Sequence, residues 1–313
     1  MDNLRGALLM VLAMLGFAIE DACIKFVSGT LPLSQILVFL GLGGSVIFGT
    51  VLVAQGRPLF ERAMLTGPIL LRAVGEVVGT IGFVSAIAYT PLASASAILQ
   101  ATPLFVTLGA ALFLREPVGW RRWSAILVGF LGVLLIIRPG LENFDWMSLF
   151  ALQGVIGLGI RDLATRRVPP ETSSMQLSFL GFLSVIPAAL IMQALSGASL
   201  VAPSAAEWAV LGTSVAIGVL AYYGIVAAMR VGEVSFVTPF RYTRLPFAIV
   251  IAMTVFDERP DLMTLLGSAV IVGSGIYTVW RERKTGARRT ASLPLQGPSR
   301  YDRTESGNRE PLA

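Results

Sequence analysis

The chain has 313 residues, of which 55% are hydrophobic and only 14% charged, with a mean hydropathy of +0.75 and a formal net charge of +5. A soluble chain carries about 25% charged residues. Here the shortfall is gathered into long gaps, such as Val77–Leu114, which excludes a soluble enzyme, a disordered chain and a nucleic-acid-binding domain.

A helix needs roughly 20 apolar residues to cross a bilayer. Apolar runs bounded by charges or turn residues give ten such segments, and the class read from them is an all-α integral membrane protein. In chain order they fall at about 5–27, 33–54, 68–89, 94–114, 120–138, 147–165, 174–195, 207–229, 233–256 and 262–280. Short connectors such as Ser28-Gly29-Thr30-Leu31-Pro32, Thr90-Pro91 and Ser196-Gly197 carry turn chemistry, so consecutive spans run antiparallel. The first run starts like a signal peptide, but Glu20 and Asp21 follow it without a small-residue cleavage site, so it is read as an uncleaved span. Residues 282–313, rich in Gly, Ser, Pro and Arg, are expected to form a disordered tail.

Lys and Arg in short loops set orientation. With a cytoplasmic N-terminus, the inner side collects Arg5, Arg57, Arg62, Arg115, Arg121, Arg122, Arg166, Arg167, Arg230 and the basic tail. The outer loops keep Lys25, Arg138 and Arg259 beside Glu142, Asp145, Glu207, Asp257, Glu258 and Asp261. The expectation is a multi-pass protein of the cell inner membrane with both termini cytoplasmic. There is no His and one cysteine, Cys23, which excludes a His- or Cys-based metal site and an internal disulfide; no cofactor is expected.

The chain resembles itself. At an offset of 141, Ile19, Asp21 and Gln35 meet Ile160, Asp162 and Gln176, and Lys25 meets Arg166. At 142, Gly82, Phe105, Ala110 and Glu116 meet Gly224, Phe247, Ala252 and Glu258. Two halves of five spans each, 5–138 and 147–281, follow. An odd span count places the second half upside down, as in alternating-access transporters that bind substrate where the repeats meet.

Several segments resemble the EamA branch of the drug/metabolite transporter superfamily. They are Gly6-Ala7-Leu8-Leu9-Met10 through Asp21 and Lys25, the loop acids of Phe113-Leu114-Arg115-Glu116 and Phe256-Asp257-Glu258, Val128-Gly129-Phe130-Leu131-Gly132 with Val272-Gly273-Ser274-Gly275, and Arg241-Tyr242-Thr243-Arg244. The resemblance covers residues 5–281. It implies two inverted five-helix EamA-like repeats and transport of a small organic metabolite, whether amino-acid export or uptake of compounds such as riboflavin or S-adenosylmethionine.

An ionisable group inside a span costs roughly 2.5–3.5 kcal/mol on insertion scales, so each needs an explanation. Arg241 and Arg244 share a helix face at the middle of span 9 and either line a substrate site or are buried against acids of spans 1 or 3. Arg72 and Glu76, four apart on span 3, form an ion pair, unless Glu76 serves Arg244 or binds a proton. Asp21 is placed against Lys25, leaving Glu20 to the pathway, and Arg161 and Asp162 are read as interfacial. Pro103, Pro239 and Pro246 interrupt spans and free the carbonyls of Leu99, Ser235 and Tyr242. Tyr222, Tyr223 and Tyr242, with Gln35 and Gln100, offer rings and neutral hydrogen bonds, whereas the five Trp lie at span ends.

The expected function is a secondary transporter, not an enzyme, acting on a small molecule within the lipid bilayer by alternating access. Vitamin uptake of the riboflavin type and amino-acid export are the two leading substrate readings; a channel or a membrane-embedded enzyme is the alternative. No nucleic acid partner is expected, and a monomer and a homodimer are both compatible with the sequence.

Overall fold

A computed structural model describes residues 2–115, 119–141, 144–169 and 171–291; Glu116, Glu142 and the tail from 292 lie outside the described residues. Among the described residues all regular structure is helical. The elements are α1 (Asp2–Val27), α2 (Leu33–Ala54), α3 (Gly67–Tyr89), α4 (Leu92–Leu99), α5 (Thr102–Phe113), α6 (Trp120–Ile137), α7 (Ser148–Thr165), α8 (Ser174–Ser196), α9 (Ala205–Val231), α10 (Val234–Val237), α11 (Arg244–Val255) and α12 (Leu262–Ala291). A 3₁₀ segment, Thr238–Thr243, joins α10 to α11, and α12 runs past the boundary set at 281.

The ends follow local chemistry. Ser173 and Ser204 open α8 and α9 with capping boxes, in which each hydroxyl accepts from the backbone of Gln176 or Glu207 and that side chain accepts from the serine's own N–H. Gly197, at φ 59°, closes α8 in the left-handed region that glycine enters without a Cβ clash.

Eight segments are long and apolar enough to cross a membrane: α1, α2, α3, α4 taken with α5, α6, α8, α9 and α12 as far as Arg281. α7, which carries Arg161 and Asp162, and the broken α10–α11 segment are not among the eight.

The duplication is visible in the element starts. Leu33 of α2 and Ser174 of α8 are 141 residues apart; Leu92 and Val234, Thr102 and Arg244, and Trp120 and Leu262 are each 142 apart. The spans read at 94–114 and 233–256, with prolines that either break or only kink them, are broken, at Gln100–Ala101 and at Thr238–Thr243, so the breaks fall at equivalent places. Pro103 withdraws a donor from Leu99 O, and the Thr102 hydroxyl takes over that carbonyl at 2.6 Å. Arg115 and Asp257, 142 apart, both hold a left-handed backbone (φ 55° and 52°) just after α5 and α11.

The halves pack crosswise: α1 lies on α9, α3 on α7, α2 on α8 and α6 on α12. A Cβ added at Gly41 would meet Ile186, and one at Gly49 would meet Phe179, so α2 and its counterpart α8 run antiparallel. Gly129 facing Ser274 and Gly132 facing Gly267 show the same for α6 and α12. The matched glutamines explain themselves here. Gln35 clamps Val201 in the loop before α9 (2.6 and 3.0 Å), while Gln176 donates to Pro58 O (3.2 Å) in the loop before α3.

The main apolar core includes Ile24, Val27, Leu37, Ile87, Leu92, Ile137 and Leu211. It fills the end of the bundle where α1, α3 and α6 finish and α2, α4 and α9 begin.

Candidate functional site

The two helix breaks meet: Gln100 Nε2, in the first, donates to Arg241 O, in the second, at 3.2 Å. Around this crossing lies a cavity of about 420 Å³. Its walls come from α1 (Met14, Phe17, Glu20), α3 (Arg72, Glu76), both breaks, α7 (Leu158, Arg161, Asp162, Thr165), α8 (Ser174, Gly181, Phe182) and α9 (Tyr222, Ile225). The lining reaches Thr165 and Ser174, at the end of the bundle marked by Arg166 and Arg167, opposite the main core.

Arg241, Arg244, Tyr242, Glu76, Arg72, Glu20, Tyr222 and Gln100, all singled out in the sequence, line this cavity. Gln35 and Tyr223 do not. Gln35 is buried in its loop clamp, and Tyr223 lies on an exposed face of α9 beside exposed Leu220, because adjacent helical residues point about 100° apart.

The ion pairs differ from those expected from spacing. Asp21 does not pair with Lys25. It holds Arg244 in a two-pronged contact, with Nε at 3.0 Å and Nη2 at 2.7 Å, and the guanidinium is sandwiched by Phe17 and Phe83, each ring centroid 5.2 Å away. Glu76 does not serve Arg244. Its Oε1 accepts from Arg161 at 3.2 Å, while Oε2 lies 3.8 Å from Arg72, an ion-pair distance without a hydrogen bond. Arg161 is therefore a cavity residue rather than an interfacial one, tied also to Asp162 at 2.8 Å. Sequence reading missed it because it judged Arg161 by its distance from Arg166. Its signal was close approach: Gly75 brings α3 so near that an added Cβ would lie 2.6 Å from Arg161 N.

Tyr222 packs edgewise on Phe48 and Phe182, with centroids 6.0 Å apart in each case, and accepts a long bond from Arg72 (3.3 Å). Tyr242 is buried, with its hydroxyl unpartnered against Gly275. Two charged groups of the lining lack a direct contact: among the described residues, neither the Glu20 carboxylate nor the Arg241 guanidinium has a hydrogen bond or an ion pair within 4.0 Å, although Glu20 still feels the charges of its neighbour Asp21 and of Arg244.

The opposite end is fastened. Lys25 donates to Ile87 O and Thr90 O, where α3 ends (3.2 and 2.7 Å), and pairs with Glu258 at 3.1 Å. Glu258 in turn accepts from the first N–H groups of α4, Leu92 (2.9 Å) and Ala93 (3.3 Å). Cation at a helix C-terminus and anion at an N-terminus each satisfy groups that the helix leaves open. Nearby, Arg138 pairs with Asp261, and that hydrogen bond holds the Asp261 carboxyl down at about 2.

Residues 4–138 and 145–280 each match the EamA-like transporter family. The chain is 30% identical to the riboflavin transporter of Vibrio cholerae, over 91% of this chain and 97% of that one. It is also 30% identical to the pseudopaline exporter of Pseudomonas aeruginosa, over 85% and 93%. Identity to the S-adenosylmethionine uptake transporter of Rickettsia conorii is 23%, over 92% and 97%. A solved crystal structure shares the fold at a TM-score of 0.60 and 19% identity, covering 89% of this chain and 98% of that one. With both halves matched, helices of membrane-spanning length and a cavity where those halves meet, the chain belongs to the EamA-like transporter family and is a membrane-embedded small-molecule transporter, not an enzyme.

Proposed function

We propose that the protein is a secondary carrier of two inverted five-helix repeats, ten spans in all, that moves a small organic metabolite across the inner membrane by alternating access. The observation that carries this reading is the cavity at the crossing of two equivalently placed helix breaks. Broken helices at mid-depth present backbone groups and side chains to a substrate. The inverted arrangement is supported by counterpart helices that run antiparallel, α2 to α8 and α6 to α12. A ten-span count is supported by α7 and α10–α11 packing in the places their counterparts α1 and α4–α5 occupy.

In the present conformation the cavity reaches toward the Arg-rich end while the Lys25–Glu258 cluster and the apolar core close the other. With both termini in the cytoplasm, as the loop charges suggest, this is an inward-facing state. Transport then requires the Lys25–Glu258 cluster to part while the α7–α8 end closes.

The eight retained candidates divide by task. In this reading Arg241, Glu20, Gln100, Tyr222 and the ring of Tyr242 contact substrate, a role supported by their place in the cavity lining, while Arg72, Glu76 and Arg244 brace the wall. Charged lining favours an amino-acid-like substrate, moved outward. Riboflavin uptake is the second reading, favoured by the name of the Vibrio cholerae relative and by the rings of Phe17, Phe182, Tyr222 and Tyr242 in the wall.

A paired growth test separates the two. Expression in a riboflavin auxotroph without its own importer gives rescue on limiting vitamin under the uptake reading. Expression in a host challenged with toxic amino-acid analogues gives resistance under the export reading, the outcome expected here. Neither effect, with the protein shown in the membrane, contradicts both.

A further inference from the structure

We infer that the cavity recognises a zwitterion through two separate poles, the Glu20 carboxylate taking the cationic group and the Arg241 guanidinium the anionic one. The inference rests on the carrier reading only in taking this cavity as the substrate site.

The argument is an inventory of charge. Four arginines line the cavity: Arg72, Arg161, Arg241 and Arg244. Three carboxylates line it, Glu20, Glu76 and Asp162, and Asp21 stands behind Arg244. Arg244 is neutralised by Asp21, and Arg161 and Arg72 by Asp162 and Glu76. Subtracting these contacts leaves one cation and one anion, Arg241 and Glu20, in a site whose formal charge sums to zero.

A group already held in a direct contact has little left to offer a ligand, whereas a charge with no contact partner gains more from a new one. A substrate with only a carboxylate leaves Glu20 uncompensated, and one with only an amine strands Arg241. A neutral ring stacks on the aromatic wall and strands both. A zwitterion alone satisfies each pole and preserves neutrality, so selectivity comes from the cost of mismatched charge as much as from attraction.

The poles sit on different elements. Glu20 is on α1, one turn beyond Phe17, which it joins in the wall. Arg241 is in the second break, its backbone held by Gln100. Because α1 and the break belong to different repeats, a ligand gripping both bridges the two halves of the carrier.

The test is ligand-induced thermal stabilisation of the purified, detergent-solubilised full chain. The twenty common L-amino acids and riboflavin are screened first. The amino acid that stabilises most is then compared with its deaminated acid and its decarboxylated amine. Wild type is expected to prefer the zwitterion to both by about ten- to a hundredfold in affinity, the worth of one charge-assisted hydrogen bond. Glu20→Gln should abolish the preference over the deaminated acid, and Arg241→Gln the preference over the amine. Glu20→Asp and Arg241→Lys, which keep the charges, should retain the zwitterion preference and show that the poles rather than the fold were lost. Stabilisation by no amino acid, by riboflavin alone, or with the same ranking in every variant overturns the inference. Discrimination as described, without exchange in vesicles, leaves the two poles standing and sinks the carrier reading instead.

Discussion

Asp21 is 2% exposed, and its carboxylate is held by the Arg244 guanidinium. Removing one partner of such a pair costs about 3–5 kcal/mol because the other charge stays buried and unpaired. Asp21→Asn and Arg244→Ala should therefore each lower the melting temperature in detergent markedly, while the double change Asp21→Leu with Arg244→Met recovers most of the loss. Single variants as stable as wild type would contradict this. Arg244 was legible in the sequence as a buried cation needing an acid, but spacing could not choose among Asp21, Glu20 and Glu76. That choice depends on how α1 and α3 are rotated and on which helix lies beside each. Glu76 goes to Arg161 because glycines let α7 come close to α3, a fact about two elements far apart in the chain.

Helix packing relies on that closeness. A methyl group added at Gly82 would sit 2.5 Å from Gly154 N and 2.7 Å from Phe150 O, both backbone atoms that cannot rotate away. Gly82→Ala should cost about 1–3 kcal/mol by overpacking. Gly212, in α9 with nothing within 4 Å of its added Cβ, should accept Ala with a gain of up to about 1 kcal/mol from helix propensity. Thermal unfolding of the two variants checks the contrast, and equal effects would refute it. At the fastened end, Asp261 has its pKa depressed by Arg138, so its contribution is full above the unfolded value of about 4 and fades as pH falls toward 2. The side chain is half exposed, which limits the pair to less than about 1 kcal/mol after screening. The difference in melting temperature between wild type and Asp261→Asn should be constant from pH 8 to 5 and shrink below pH 4; a difference that grows on acidification would contradict the assignment. The boundaries of these elements were readable from apolar runs and turn residues almost throughout. Pro103, Pro239 and Pro246 marked the places of the interruptions, but not whether the helix bends or stops there.

At the scale of the molecule, the self-similarity of the chain was legible in a handful of polar matches, and the structure gives some of them a purpose. Gln35 and Gln176 fasten equivalent loops crosswise, and Lys25 and Glu258 hold one end shut. Asp21 and Asp162 match in sequence but differ in task, one bracing a break and the other pairing with its neighbour Arg161. The symmetry is broken there: the position equivalent to Arg244 is Thr102, which needs no acid. Counterflow in proteoliposomes tests the carrier reading most directly. Vesicles preloaded with the unlabelled amino acid that best stabilises the protein are diluted into a trace of the same labelled compound. A carrier that exposes one cavity alternately predicts a transient accumulation of label above equilibrium, saturable and lost with Glu20→Gln. A monotonic approach to equilibrium without overshoot, from protein shown to be intact and inserted, would contradict alternating access and favour a channel.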